Sequence, residues 1–182
     1  LKHTARGLDA YIICECFNYS VTYKMYGQTV PMSPDDHYQD LKRIIAALGG
    51  KARRITVIMP MLYEGRQHRR TTRESMDCAM ALQELVATGV KNIVTFDAHD
   101  PRVNNAIPLD GFDNVQAAYQ MIKALLKNVP DIKLDREWYC SVNMSKYIAL
   151  LVETLNYDNY ISSLLGPVDR IKKIVAKYGQ DK

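Results

Sequence analysis

Three short apolar runs stand out along the first hundred positions, and each of them ends abruptly. They cover residues 10–14, 54–59 and 92–96. Continuous apolar runs of this length are typical of strands that are covered on both faces. We therefore predict three buried strands.

Helical spacing of apolar residues fills the intervals between these runs. The first predicted helix has Ser33 as its cap and Pro34 at its first position. The second has a capping-box pattern at residues 71–74 and ends at Gly89. Three further helices are predicted at about residues 115–127, 142–155 and 167–178.

Alternation of strands and helices favours a parallel sheet with right-handed crossovers. The predicted fold class is α/β, a three-layer α/β/α sandwich with a mainly parallel sheet. We expect residues 1–134 to form one domain that is partial at its start. Residues 135–182 are predicted to be a helical tail that packs back on the same domain, because so short a segment cannot bury a core of its own.

Composition excludes some classes of protein and leaves others open. The net charge of +4 and the pI of about 8.8 suit anionic small molecules as well as nucleic acid. The sequence contains neither an apolar run of about 18 residues nor a visible signal peptide, so no membrane partner is expected. The cysteines have no metal-binding spacing, and we expect reduced thiols and a cytoplasmic location.

Candidate chemistry lies in the loops that follow the second and third strands, since ligands of open α/β sheets bind beyond the carboxyl ends of the strands. The first loop carries a basic cluster just before a predicted helix, made up of Arg66, Arg69, Arg70 and Arg73. Guanidinium groups and a helix N-terminus both attract phosphate. A solvated basic turn is the alternative.

The second loop carries Asp97 and His99 directly after the third strand. A carboxylate and an imidazole can hold Mg²⁺ directly or through water, and Mg²⁺ with arginines is what a polyphosphate requires. The alternative is a structural turn in which Asp97 caps backbone amides. Position and residue type together indicate a nucleotide site.

Several stretches resemble the ribose-phosphate pyrophosphokinase family, also called phosphoribosyl pyrophosphate synthetase. They are MSPDDHYQDLKRIIAAL, RRITVIMPMLYEGRQHRR and NIVTFDAHDPRVNNAIPLDGFDNV. The resemblance covers about residues 9–127, and the stretches REWYCSVNMSKYIALLVETLN and ISSLLGPVDRIKKIVAKY resemble the extreme C-terminus of the same family. It implies a fold of the phosphoribosyltransferase type.

The resemblance also implies an activity, two substrates and a cofactor. The family transfers diphosphate from ATP to the 1-hydroxyl of ribose 5-phosphate, uses Mg²⁺ and releases AMP. By resemblance, Arg66 and Gln67 contact ATP, Asp97 and His99 hold the metal, and His99 is the catalytic residue. The next family position after Gln67 is usually acidic, whereas this chain carries His68 there.

A whole domain of the family has no counterpart, because Leu134 and Asp135 run directly into Arg136. The ribose-phosphate loop of the family is not found. We therefore predict that this chain holds the ATP/Mg²⁺ half-site and is inactive alone. The alternative is a non-catalytic regulatory or assembly module of a synthetase complex. A homo-oligomer, a dimer within a hexamer, is expected from the resemblance, and nucleic acid is not an expected partner.

Overall fold

The computed structural model describes residues 3–128, 143–157 and 168–179. The chain divides into two compact units, Leu1–Asn114 and Val115–Lys182. The elements in chain order are β1 (Asp9–Ile13), β2 (Thr22–Met25), β3 (Gln28–Pro31), α1 (Pro34–Ala47), β4 (Arg54–Met59), α2 (Asp77–Ala87), β5 (Asn92–Phe96), a 3₁₀ helix (Pro101–Ala106), β6 (Gly111–Val115), α3 (Ala118–Asn128), α4 (Ser145–Asn156) and α5 (Val168–Gly179).

The three apolar runs of the sequence become three neighbouring strands of one sheet. The strand order is β1-β4-β5-β6, and β4 is parallel to both β1 and β5. Ile12 lies opposite Val57, and Ile58 lies opposite Val94. The predicted α/β class with a mainly parallel sheet is therefore confirmed.

Helices α1 and α2 bury their apolar stripes in the core of the first unit. The buried residues of the two helices are Tyr38, Leu41, Ile45, Cys78, Ala81, Leu82 and Leu85. They join Val57, Met59 and Ile93 of the central strands in one hydrophobic cluster. Burial of a large apolar side chain contributes about 1.5–3 kcal/mol before entropy, so this cluster is the main source of stability.

Tyr38 ties α1 to α2 through both its ring and its hydroxyl. The hydroxyl donates to the Ala81 carbonyl oxygen at 2.8 Å and to Glu84 Oε2 at 3.2 Å. The ring stacks on that of Tyr63, with centroids 4.3 Å apart and planes inclined by 6°. Burial raises the pKa of Tyr38, with a further contribution from the Glu84 carboxylate, so the hydroxyl remains a donor.

The start of α1 agrees with the sequence prediction. Ser33 is the cap, its hydroxyl accepts from the Asp36 amide at 3.2 Å, and Asp36 Oδ2 accepts from the Ser33 amide at 2.8 Å. Each group satisfies an amide that the first helical turn leaves without a partner. Pro34 follows at the first helical position, where its missing N–H costs nothing.

The start of α2 differs from the prediction. The capping-box pattern at residues 71–74 does not begin a helix. Helix α2 begins at Asp77 instead, and the preceding Met76 makes no side-chain cap. One bond of the pattern forms, from the Thr71 amide to Glu74 Oε2 at 3.3 Å. The Gln67 carbonyl accepts from the Cys78 amide at 3.3 Å, so the preceding loop folds back over the start of α2.

Three elements have no counterpart in the sequence prediction: the β2–β3 hairpin, the 3₁₀ helix and β6. The hairpin turns at Tyr26 and Gly27, with φ of 50° and 78°. Positive φ at both central residues matches the twist of the flanking strands, and this is the typical two-residue hairpin turn. Its strands are too short and exposed to show an apolar signal.

The second unit contains α3, α4 and α5, near the positions that helical spacing predicts. The predicted domain boundary at residue 134 lies outside the described residues. Packing of the tail on the first domain therefore stays a prediction. None of the helices in the described parts of the chain has the length and apolar content needed to cross a bilayer.

Asp9 at the start of β1 provides a pH-dependent link to β4. Its side chain is only 4% exposed and accepts hydrogen bonds from Arg53 Nε at 2.9 Å and Arg54 Nη2 at 2.9 Å. The hydrogen bond from Arg53 is the main cause that holds the pKa of Asp9 below its ordinary value of 3.8. A carboxylate with a lowered folded-state pKa stabilises the fold above the unfolded-state pKa and loses that contribution as pH falls.

We therefore expect Asp9→Asn to lower the free energy of unfolding near neutral pH, and the difference from the parent protein to shrink as pH falls below about 4. Denaturant titrations across this pH range measure both quantities. Asp40→Asn is the matched control, because Asp40 forms an exposed pair with Arg43 on one helix. A difference that stays constant with pH would assign the effect of Asp9→Asn to packing instead.

Candidate functional site

Two loops meet at the edge of the sheet where β4 and β5 end. Because these strands are parallel neighbours, their carboxyl ends lie side by side, and the Phe96 amide donates to the Pro60 carbonyl at 3.1 Å. Between the loops lies a cavity of about 530 Å³, which we name the strand-end cavity. Its apolar wall includes Phe17, Leu62 and Phe96.

Three of the four predicted site residues line the strand-end cavity: Arg66, Asp97 and His99. All three are solvent-exposed, and they come from loops about 30 residues apart in sequence. A guanidinium, a carboxylate and an imidazole therefore share one concave surface at the end of the sheet. This set can bind an anion and a hard cation together.

Gln67 lies elsewhere. Its side-chain amide donates to the Ser75 carbonyl at 2.9 Å, and its backbone carbonyl accepts from the Cys78 amide. Both bonds fasten the loop after β4 to the segment that precedes α2. Gln67 is not among the residues that line the strand-end cavity, and in this conformation its amide serves the loop.

The backbone is strained in both loops that line the strand-end cavity. Glu64 and Asp97 adopt left-handed conformations with φ of 53° and 44°. Among the described non-glycine residues, only these two and the hairpin residue Tyr26 do so. Left-handed backbone is uncommon for residues with a Cβ, and its cost is retained most often at binding sites. The position of both residues at strand ends supports a binding role for this edge.

The basic cluster of the loop is divided rather than gathered at one site. Arg66 lines the strand-end cavity, whereas Arg69 and Arg70 line a neighbouring cavity of about 900 Å³, which we name the basic cavity. Arg73 lines neither of them. The arginines that are close together in the sequence therefore do not act as one cluster in the structure.

His68 lies between the two cavities and contacts residues of both loops. Its Nε2 atom is 3.6 Å from Asp100 Oδ2, its Nδ1 atom is 3.0 Å from the Arg66 carbonyl oxygen, and its ring lies edge-on to that of His99, 5.1 Å between centroids. The imidazole thus braces the loop after β4 against the loop after β5. The sequence alone gave His68 no clear role.

Asp100 and Arg102 are two further polar residues that sequence reasoning did not select. Asp100 Oδ1 accepts from the Arg102 amide and from its Nε atom, each at 2.9 Å. The side-chain bonds from Arg102 hold the pKa of Asp100 well below its usual range, so the carboxylate stays charged. An aspartate directly before Pro101 is a capping pattern, and this signal could have identified the start of the 3₁₀ helix.

Two residues of the strand-end cavity carry groups that are chemically suited to bind Mg²⁺. Asp97 offers hard carboxylate oxygens, and His99 offers an imidazole nitrogen. Burial, with repulsion from Asp77 and Asp35, raises the pKa of Glu64, which also lines the cavity. No group of three acidic, histidine or cysteine residues in the described chain could hold a metal alone. Mg²⁺ is usually bound through one or two carboxylates, waters and substrate phosphates.

Comparison with known proteins supports the resemblance seen in the sequence. Residues 1–89 match the family model for the N-terminal domain of ribose phosphate pyrophosphokinase. Residues 1–89 therefore belong to the ribose phosphate pyrophosphokinase family. Arg66 and Gln67 lie inside the matched region of this pyrophosphokinase domain, whereas Asp97 and His99 lie beyond it.

Two relatives extend the comparison beyond residue 89. Ribose-phosphate pyrophosphokinase 1 from Schizosaccharomyces pombe is 31% identical over 137 residues, which are 68% of this chain and 31% of the relative. Phosphoribosylpyrophosphate synthetase from Mycobacterium smegmatis matches in structure with a TM-score of 0.57 and 21% identity, over 71% of this chain and 39% of that chain. The structural match shows a phosphoribosyltransferase-like fold.

The matched region spans about a third of the pyrophosphokinase from Schizosaccharomyces pombe. The activity of a whole pyrophosphokinase does not follow for a chain that matches only part of one. Accordingly, the roles of Arg66, Gln67, Asp97 and His99 in ATP and metal binding stay predictions.

Proposed function

We propose that this chain is the ATP-binding half of a ribose-phosphate pyrophosphokinase and that the strand-end cavity holds the polyphosphate of Mg·ATP. The observation that carries the proposal is the convergence of Arg66, Asp97 and His99 on one cavity at the ends of two parallel strands. Open α/β sheets bind their ligands at this edge. The family of the first domain is one whose reaction requires such a site.

Each residue has a chemical task in this proposal. The Arg66 guanidinium donates forked, charge-assisted hydrogen bonds to phosphate oxygens. Asp97 and His99 hold Mg²⁺, which neutralises charge on the phosphates when it is bound. Gln67 positions the Arg66 loop through its bonds to Ser75 and Cys78. The apolar wall limits access of water to the phosphates, and this strengthens each electrostatic contact.

In an intact enzyme, the second reactant is ribose 5-phosphate, held by a part of the protein that has no counterpart in this sequence. Diphosphate then passes from ATP to the 1-hydroxyl of the sugar, which gives phosphoribosyl pyrophosphate and AMP. The proposal, which rests on the family resemblance, includes a homo-oligomer, a dimer within a hexamer, and a cytoplasmic location.

A regulatory or assembly module is the second candidate function. It is favoured by the direct run of Leu134 into Arg136 and by the Gln67 side chain, which is bonded to the loop. The two functions differ in nucleotide binding. A half-site binds Mg·ATP through Arg66 and His99, whereas an assembly module changes the activity of an intact synthetase without binding nucleotide.

We expect Arg66→Ala and His99→Ala each to weaken Mg·ATP binding by about 1.5–3 kcal/mol, the range for charge-assisted hydrogen bonds. This corresponds to roughly 10- to 150-fold in Kd. Calorimetric titration of the purified chain with Mg·ATP measures it. Arg73→Ala is the matched control, since Arg73 belongs to the same basic loop but lines neither cavity.

Unchanged binding in both variants would place the nucleotide elsewhere on the chain. An equal loss in all three variants would indicate general charge attraction. If the parent chain binds no Mg·ATP but alters the turnover of an intact synthetase, the module is the correct function.

A further inference from the structure

A groove in the second unit is lined by positive side chains from two helices. It lies between α3 and α5 and has a volume of about 400 Å³. We name it the cationic groove. Its lining residues are Tyr119, Lys123 and Lys127 of α3, and Arg170, Lys173, Ile174 and Lys177 of α5.

Regular spacing places these cations on one face of each helix. Lys123 and Lys127 are four residues apart on α3, and Arg170, Lys173 and Lys177 follow at intervals of three and four on α5. Such residues are neighbours on a helix surface, where like charges are destabilising. The groove thus concentrates five positive charges at some cost to its own stability.

Negative charge is scarce on the two helices that form the groove. Helix α3 contains no aspartate or glutamate, and α5 contains only Asp169, which does not line the groove. No carboxylate is present among the groove-lining residues that the structure describes. A cluster of cations with no acidic side chain among its described lining residues creates a local positive potential that attracts anions.

Arg170 contacts two tyrosine side chains. Its guanidinium lies over the ring of Tyr119, 4.0 Å from the centroid. The arginine also interacts with the buried Tyr147 of α4. A guanidinium stacked on a ring can still donate from its edges, and its planar fork matches phosphate oxygens. Stacking therefore fixes one phosphate-binding group before any ligand arrives.

We propose that the cationic groove binds a compact polyphosphate anion, a small molecule with two or more linked phosphates. Its volume lies within the usual range for small-molecule sites, about 300–1,000 Å³. The five positive charges of the groove match the negative charge of a polyphosphate, whereas a single phosphate carries too little charge to balance them. The helices of 11 and 12 residues span only about 17 Å at 1.5 Å per residue, too short a track for an extended nucleic acid strand.

The probe for this proposal is inorganic tripolyphosphate, titrated calorimetrically into the Arg66→Ala chain in metal-free buffer. The Arg66→Ala change removes the side chain that is proposed to bind phosphate in the strand-end cavity, so binding at the two sites can be distinguished. We expect binding to persist in this background. The double change Lys127→Gln and Lys173→Gln is expected to raise Kd by about tenfold or more, since two charge-assisted contacts are lost.

Lys172→Gln is the matched control, because Lys172 is an exposed residue of the same helix that does not line the groove. We expect its Kd to stay within about twofold of the parent value. Arg170→Lys keeps the charge but loses the planar fork, and an intermediate loss is expected. Circular dichroism of each variant checks that the helices remain folded.

A second measurement requires no variant. Addition of tripolyphosphate is expected to shift the backbone amide signals of α3 and α5 in a ¹H–¹⁵N NMR spectrum, with little change in the first unit. The proposal is overturned if Lys172→Gln weakens binding as much as the double variant does. It is also overturned if the shifts fall outside α3 and α5, or if an RNA of about 20 nucleotides binds while tripolyphosphate does not.

Discussion

Purified protein of this 182-residue sequence is expected to release no AMP from ATP in a reaction that depends on ribose 5-phosphate. The reaction must align the sugar 1-hydroxyl with the β-phosphorus of ATP, and positioning with charge stabilisation supplies nearly all of the catalysis. Effective molarities of about 10⁵–10⁸ M are lost when one reactant is not held. The strand-end cavity supplies only the proposed ATP half of this arrangement.

An assay with labelled ATP, with and without ribose 5-phosphate, measures the reaction. An intact ribose-phosphate pyrophosphokinase is the positive control, and the His99→Ala chain sets the background. Ribose-dependent turnover that disappears in His99→Ala would contradict this prediction. It would mean that residues of this chain also hold ribose 5-phosphate.

Tyr38→Ala is expected to lower the free energy of unfolding by about 3–5 kcal/mol, the usual cost when a buried aromatic ring is removed. The residue is 6% exposed, its ring stacks on Tyr63, and its hydroxyl is one of the contacts between α1 and α2. Stabilities of single domains are about 5–15 kcal/mol, so this loss is a large part of the total. Urea denaturation followed by circular dichroism measures it.

Tyr38→Phe is the matched control because it keeps the stacked ring and removes only the hydroxyl. Its expected cost is about 1 kcal/mol, since the Ala81 carbonyl and Glu84 each lose one donor. If Tyr38→Phe costs as much as Tyr38→Ala, the hydroxyl bonds hold the two helices together. If neither change lowers stability, the interface between α1 and α2 contributes little to the fold.

Local signals predicted the parts of the fold that depend on local physics. The apolar runs of β4 and β5 are largely buried as predicted, whereas β1, at the edge of the sheet, has only partly buried or exposed residues. The start of α1 could be predicted because Ser33 and Asp36 form its cap. The prediction of where α2 begins was wrong because contacts of the preceding loop override the capping pattern at residues 71–74. The Gln67 side chain donates to the Ser75 carbonyl, so the loop remains non-helical and the helix begins only at Asp77.

The candidate site was predictable in part for the same reason. Strand ends can be located from apolar runs, so Asp97, His99 and Arg66 could be assigned to one edge of the sheet. The direction in which a long side chain points cannot be predicted from apolar runs. The sequence therefore did not show that the Gln67 side chain bonds to Ser75 and lies outside the cavity. Contact between His68 and Asp100 joins residues 32 positions apart, which no local pattern indicates.

Left-handed backbone at Glu64 and Asp97 restricts the amino acids that this edge of the sheet can accept. Glycine adopts that conformation freely, and asparagine and aspartate tolerate it, whereas β-branched residues are strongly disfavoured there. The backbone conformation alone therefore permits few types of residue at position 97, and aspartate is one of them. Folding and the proposed binding of Mg²⁺ would favour the same side chain at this position, so an ancestral protein could acquire the second property without sacrificing the first.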